Sequence, residues 1–132
     1  MSQKNVETAQ RGWEHFLATG EPAWDTLHAE VEARDHDIFD GREYRGHAGI
    51  QQWLFEDWAS AWSEWSAGRA EFIDAGEDSV VVLNRIEGRG KGSGARVQAD
   101  TATVWALEAG KVVGLALYLD IAKALEAAGL RE

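Results

Sequence analysis

Cysteine is absent from the 132 residues. That excludes disulfides, thiolate zinc sites and a cysteine nucleophile. Basic residues are few: 13 Lys and Arg stand against 23 Asp and Glu, a net charge of −10. Such a surface repels phosphate backbones, so nucleic acid is excluded as an expected partner. No uncharged run approaches the roughly 20 residues of a membrane span, so no membrane partner is expected. The opening residues, Met1 to Glu7, lack the apolar stretch of a signal peptide. The expectation is a soluble, cytoplasmic protein.

What remains is a globular balance, 45% hydrophobic and 27% charged, which excludes disorder as the main state. The length suits one domain spanning residues 1–132. The excess is in tryptophan: 7 Trp against 4 Phe and 2 Tyr. Trp carries a large apolar surface and an N–H that needs a partner when buried. So many in a small chain imply a very aromatic core or a lined cavity.

Helical spacing of Val6, Ala9, Trp13, Phe16 and Leu17 predicts an amphipathic helix from about Asn5 to Ala18, stopped by Thr19-Gly20. Pro22, the one proline, suits the first turn of a short second helix carrying Trp24 and Leu27. Val31, Ala33 and Asp35 alternate with polar residues, as in a strand. The run from Asp37 to Gly46 reads as a loop or hairpin, with Asp40-Gly41 as its turn signal. Residues 48–65 read as a third helix, with Leu54, Trp58, Trp62 and Trp65 on one stripe widened by Trp53 and Phe55. Strands follow over 69–75, 79–87, 96–107 and 112–119. Asp120 stands where an N-cap should, before a short helix ended by Gly129. Hairpin-linked strands with segregated helices give an α+β class with an antiparallel sheet.

Chemical motifs are sparse. The glycine-rich tip, residues 88–94, does not fit G-x-G-x-x-G and lies between two strands, so it is no dinucleotide site. No P-loop, H-E-x-x-H or G-x-S-x-G occurs. Asp35, His36 and Asp37 are neighbours in a strand and point to opposite faces, which disfavours a metal. Neither metal nor cofactor is expected. Arg89, Lys91 and Arg96 read as a solvated hairpin tip.

Several segments together resemble the SnoaL-like branch of the nuclear transport factor 2-like superfamily. They are Tyr44-Arg45-Gly46-His47-Ala48-Gly49-Ile50, Glu71-Phe72-Ile73-Asp74-Ala75-Gly76, and Gly88-Arg89-Gly90 with Gly92-Ser93-Gly94. Val104-Trp105 followed by Gly110-Lys111-Val112, and the end from Tyr118 to Leu130, complete the likeness. The resemblance implies a cone: a curved antiparallel or mixed sheet wrapped around N-terminal helices, enclosing a pocket. It also implies a homodimer through the outer sheet face.

The same resemblance implies the site. Trp13, Phe16, Trp24, Trp53, Trp58 and Trp105 would pack around or line the cavity, with Trp105 the better pocket candidate and Trp58, Trp62 and Trp65 mainly core. Thr101 and Thr103 share the face of Trp105, and Leu115, Leu117 and Leu119 would face inward from the last strand. Arg85-Ile86-Glu87 resembles an Arg-x-Asp pair of limonene epoxide hydrolase, which implies that Arg85 and Glu87 face the cavity. Asp35 would join them in an acid–Arg–acid cluster able to polarise a carbonyl or supply a base. The same three residues fit a structural ion network or a solvated rim equally well. An apolar Leu117 and a Thr at 103, where many relatives have His, argue against the family's acid–base chemistry. Asp120 reads as a helix cap, and Tyr118 as outer-face. The expected function is binding of a small, mostly apolar or aromatic molecule. Proton transfer of isomerase, cyclase or dehydratase type is one extension; a non-enzymatic dimeric module that binds a ligand or a protein is the alternative.

Overall fold

The computed structural model describes residues 2–68 and 70–130. An N-terminal helix, Ser2–Thr19, leads into a single 3-10 turn, Trp24–Thr26, where the sequence predicts a longer second helix. The strands are β1 (Leu27–Asp35), β2 (Arg42–Arg45), β3 (Trp62–Ala67), β4 (Glu71–Asp74), β5 (Ser79–Gly90), β6 (Arg96–Glu108) and β7 (Lys111–Tyr118). A middle helix separates β2 from β3, and a C-terminal helix, Ile121–Ala127, follows β7. The class is α+β, with the sheet order β2-β1-β7-β6-β5-β3 and β4 also pairing with β5. β1 runs parallel to β7 and the other pairings are antiparallel, so the sheet is mixed. Register shifts in β1, β3 and near Ala106/Leu107 of β6 bend it into a curve. Among the described residues no helix is long and apolar enough to cross a membrane.

Local sequence explains most joints. Asp40 and Gly41 both hold positive φ, 59° and 79°, which gives β2 its tight return onto β1, the hairpin alternative of the two expected for this segment. Asp120 caps the C-terminal helix, its Oδ1 accepting from the Lys123 N–H at 3.2 Å. That helix packs on the convex face, against Val81 and Ala102. Val80 and Val82 face the concave core instead. Covered on both sides, Val80, Val81 and Val82 are all buried. Tyr118 belongs to the convex cluster and stacks on His36 at 4.3 Å.

The middle helix departs most from expectation. It spans Gly46–Gln51, widens into a π-helical stretch, Gln52–Trp58, and closes with Ala59–Ala61. The predicted helix through Trp65 is therefore wrong by its last turn: Trp62–Ala67 is strand β3, paired with β5. Aromatic residues suit strands as well as helices, and a spacing of three does not separate the two over so short a run. The i→i+5 bonding of the π stretch brings residues five apart toward one side. Trp53 and Trp58 both become buried in this way, whereas α-helical spacing groups Trp58 with Leu54.

Candidate functional site

Between the concave face and the two long helices lie two adjoining, half-open cavities. One, of about 110 Å³, lies beside Trp105; the other, of about 100 Å³, lies beside Trp58. Trp13, Phe16, Trp53, Leu54 and Thr103 line both. Trp105 and Leu115 line the first alone. Trp58, Trp65, Asn84, Thr101 and Leu117 line the second alone. Either volume is several times what one water needs, about 10–15 Å³. A surface groove of about 420 Å³ opens next to them, sharing Phe16 and Leu54 and rimmed by the exposed Leu17 and Phe55.

Sheet register selects these residues. Residues directly opposed in an antiparallel pair share a face. Thr101 opposes Asn84, Thr103 opposes Val82, and Trp105 opposes both Val80 and Leu115. Leu117 opposes Thr103 in the same way. All of them face the concave side. On the N-terminal helix, Gly12 leaves the Trp105 ring close to the helix axis: a Cβ there would sit 3.4 Å from Cζ3 of that indole.

This register also overturns part of the expected site. Arg85 opposes Asp100, and Glu87 opposes Gln98. Both stand on the convex face and are exposed. Arg85 Nε donates to Asp100 Oδ1 at 3.0 Å, and that hydrogen bond, with the charge of Asp100, raises the guanidinium pKa above its ordinary value. The acid–Arg–acid cluster does not form. Parity along one strand says which residues share a face, but only pairing with the next strand says which face is inside. The missed residue is Asn84. Thr101 Oγ1 donates to Asn84 Oδ1 at 2.9 Å, so the pair is bonded across the strands. Leu119 lies beyond β7 and is 40% exposed, not inward. Trp24 lines neither cavity; its Nε1 donates to Glu21 Oε1 at 3.1 Å and its ring packs on His47.

Asp35 is inside but lines neither cavity. It is fully buried, 0% exposed. Its Oδ1 accepts from the N–H groups of Ile38 at 2.8 Å and Phe39 at 3.1 Å. Its Oδ2 accepts from Trp53 Nε1 at 3.0 Å. Three charge-assisted bonds thus stabilise the carboxylate without a cation. Behind Trp53, Tyr44 stacks at 5.7 Å. The Tyr44 hydroxyl donates to Asp57 Oδ2 at 2.8 Å, and Arg42 pairs with the same oxygen at 3.0 Å. Burial, then the Asp57 hydrogen bond, raises the Tyr44 pKa well above its usual 10. Asp35 and Tyr44 hold from behind the wall that both cavities share.

The chemistry of the lining is narrow. Among the described residues, neither cavity is lined by an Asp, Glu, His, Lys or Arg. No group of three or more His, Asp and Glu among them could hold a metal ion. The polar side chains on the linings are Thr103, the bonded Asn84–Thr101 pair and Thr26, whose hydroxyl donates to the Ala23 carbonyl at 2.7 Å. Nε1 of Trp13, Trp58 and Trp62 is buried with no acceptor among the described residues.

Comparison with solved structures shows the fold. TerC, co-crystallised with polyporic acid, superposes with a TM-score of 0.73 at 23% identity, over 96% of this chain and 98% of that one. A SnoaL-like protein of polyketide-cyclase type from Jannaschia sp. CCS1 gives 0.71 at 19%, over 98% and 94%. The fold is nuclear transport factor 2-like. A protein of ketosteroid isomerase-like fold from Catenulispora acidiphila DSM 44928, in complex with trimethylamine, gives 0.65 at 19%, over 88% and 90%. No protein-family model and no curated protein matches the sequence. In this nuclear transport factor 2-like cone the concave cavities lie where the sheet curls around the N-terminal helix.

Proposed function

We propose that the cone binds a small, mostly apolar, ring-bearing molecule. The observation that carries this is the pair of adjoining cavities walled by Trp13, Trp53, Trp58 and Trp105. Concave, mainly apolar sites with a few fixed polar groups are the usual form of ligand pockets. The exposed Leu17 and Phe55 beside Phe16 and Leu54 mark an entry route. Two proteins of the same fold crystallise with small organic molecules, which supports the reading at the level of fold. The chemistry favours holding over proton transfer, because among the described residues no titratable side chain lines the cavities and all three N–H partners of Asp35 are structural. Pairing of two chains through the convex face belongs to the same proposal. Val104, Ala106, Val113 and Ala116 line a shallow depression there, and a monomer in sedimentation would remove that part.

The test is titration with Prodan, a neutral naphthyl ketone dye whose emission shifts to the blue in apolar surroundings. The native chain is expected to bind it saturably, one per chain. Thr103→Phe puts a ring between the two cavities and is expected to weaken binding by roughly tenfold or more, about 1.4 kcal/mol. Arg85→Ala, on the convex face, is expected to leave binding unchanged. Saturable binding that survives Thr103→Phe in a folded protein would place the dye elsewhere.

A further inference from the structure

The sheet ends in two unlike edges, β2 at one end of the strand order and β3 at the other. β2 is four residues long and carries Arg42, Glu43 and Arg45, the short, charged build that discourages a further strand. β3 is six residues long, with neither lysine nor proline. The alternation of bonds in an antiparallel pair fixes which of its main-chain groups are spent. The Gly68 N–H donates to the Arg85 carbonyl at 2.9 Å, and Ser66 opposes Glu87 in the same register, so Gly68 and Ser66 turn toward β5. Trp65 and Ala67 therefore turn N–H and C=O away from the sheet, where no main-chain partner meets them among the described residues.

The groove of about 420 Å³ runs along this edge. Trp65, Ser66 and Ala67 all border it, although successive strand residues point to opposite faces. A groove bordered by all three lies beside the strand, not on one of its faces. Its far wall is apolar: Leu17 and Phe55 stand there, two of the three large apolar side chains exposed among the described residues. Its flanking charge is of one sign. Glu14 lies one helical turn before Leu17, and Glu56 follows Phe55. Both are exposed, and neither has an ion-pair partner among the described residues. No Lys, Arg or His among those residues lines the groove.

We propose that β3 takes an extended, basic segment of a partner protein as an added strand. The main chain of that segment pairs with Trp65 and Ala67, its alternate apolar side chains rest on Leu17 and Phe55, and its Lys or Arg meets Glu14 and Glu56. Strand addition draws affinity from main-chain bonds and selectivity from pockets for alternate side chains. A helix cannot use the edge, since its N–H and C=O groups are bonded within it. An acidic segment is repelled by the two glutamates and by a chain of net charge −10. The inference does not rest on the pocket reading, although a segment seated there also covers the route to the cavities.

The probe is the capped peptide acetyl-Lys-Val-Thr-Val-Lys-Val-amide, with a counterpart that has Glu for both lysines. Calorimetric titration is expected to show the lysine peptide binding saturably, one per chain, and the glutamate peptide roughly tenfold more weakly. N-methylation of the three valines blocks one edge of the peptide, and N-methylation of the threonine and both lysines blocks the other. One methylated form should lose binding and the other keep it. Hydrogen exchange gives a readout that needs no variant: bound peptide should slow the Trp65 and Ala67 amides by roughly tenfold or more, and the Ser66 amide, already bonded to β5, far less. Ala67→Pro removes an outward N–H without breaking a bond to β5, so it should melt like the native chain and bind roughly tenfold more weakly. Failure of the lysine peptide to bind, loss of binding in both methylated forms or in neither, or unslowed Trp65 and Ala67 amides overturns the strand addition. Equal binding of the glutamate peptide overturns the basic class. Sedimentation showing that the chain pairs with itself, and that Ala67→Pro abolishes the pairing, makes a second copy the occupant and overturns the partner. Prodan binding is unaffected by any of these outcomes and fails or stands by its own test.

Discussion

Asp35→Ala is expected to lower stability by about 4 kcal/mol, a fall in Tm of roughly 15 °C for a chain of this size. The side chain is fully buried and takes three N–H donors. Its removal strands the Ile38 and Phe39 amides and the Trp53 indole at once, and each buried unpaired donor costs about 1–3 kcal/mol before relaxation. Asp35→Asn keeps the shape but turns an NH2 group toward at least one of those donors, so it should recover only part of the loss. Asp37 gives the control. It also accepts a backbone N–H, from Leu119 at 2.7 Å, but at an exposed site, and Asp37→Ala should cost about 1 kcal/mol or less. Thermal melting of the three variants checks the order. A general base held in reserve would show a different pattern, with Asp35→Asn as stable as the native chain and ligand turnover lost.

Gly88→Ala is expected to destabilise by about 2 kcal/mol, roughly 8 °C in Tm. Gly88 pairs with Trp65 where β3 crosses β5. A Cβ there would lie 2.7 Å from Cε3 of Trp62, 2.8 Å from the Glu64 carbonyl oxygen and 3.0 Å from the Trp65 Cβ. Two of these neighbours are main chain or the root of a side chain, so the whole of β3 must shift. Trp65 lines the cavity beside Trp58, so binding of Prodan should weaken as well. At Gly90 the near atom is Ser93 Oγ, 2.9 Å away at the end of a short, rotatable side chain, and Gly90→Ala should be milder. Equal melting of the two variants would remove the crowding argument.

Gly88 also shows why part of the fold escapes sequence reasoning. The run from Ala59 to Ala67 has Trp62 and Trp65 at a spacing that extends the stripe of Leu54 and Trp58. Nothing local contradicts a helix. What decides against it is a distant partner, the β5 segment whose glycine lets a strand bearing two indoles lie close. Periodicity did reveal the N-terminal helix, the alternation of Val31, Ala33 and Asp35, and the four closing strands, because each presents one face to the core over several residues. It also grouped Thr101, Thr103 and Trp105 correctly onto one face. It misplaced Arg85 and Glu87 because a strand has two faces, and the pairing of Arg85 with Asp100 chooses between them. An outward Arg beside an acid one strand away was the available signal, and it needed the register to be visible. The π stretch that buries both Trp53 and Trp58 left no mark in the spacing.

The central claim is that the concave interior offers internal space to an apolar guest, and a crystal pressurised with xenon measures this most directly, since xenon enters apolar cavities of this kind. Xenon density is expected inside the wall formed by Trp13, Trp53 and Thr103, in the cavity beside Trp58 or beside Trp105. Xenon found only on the surface, with the indoles closed over both cavities, would contradict it.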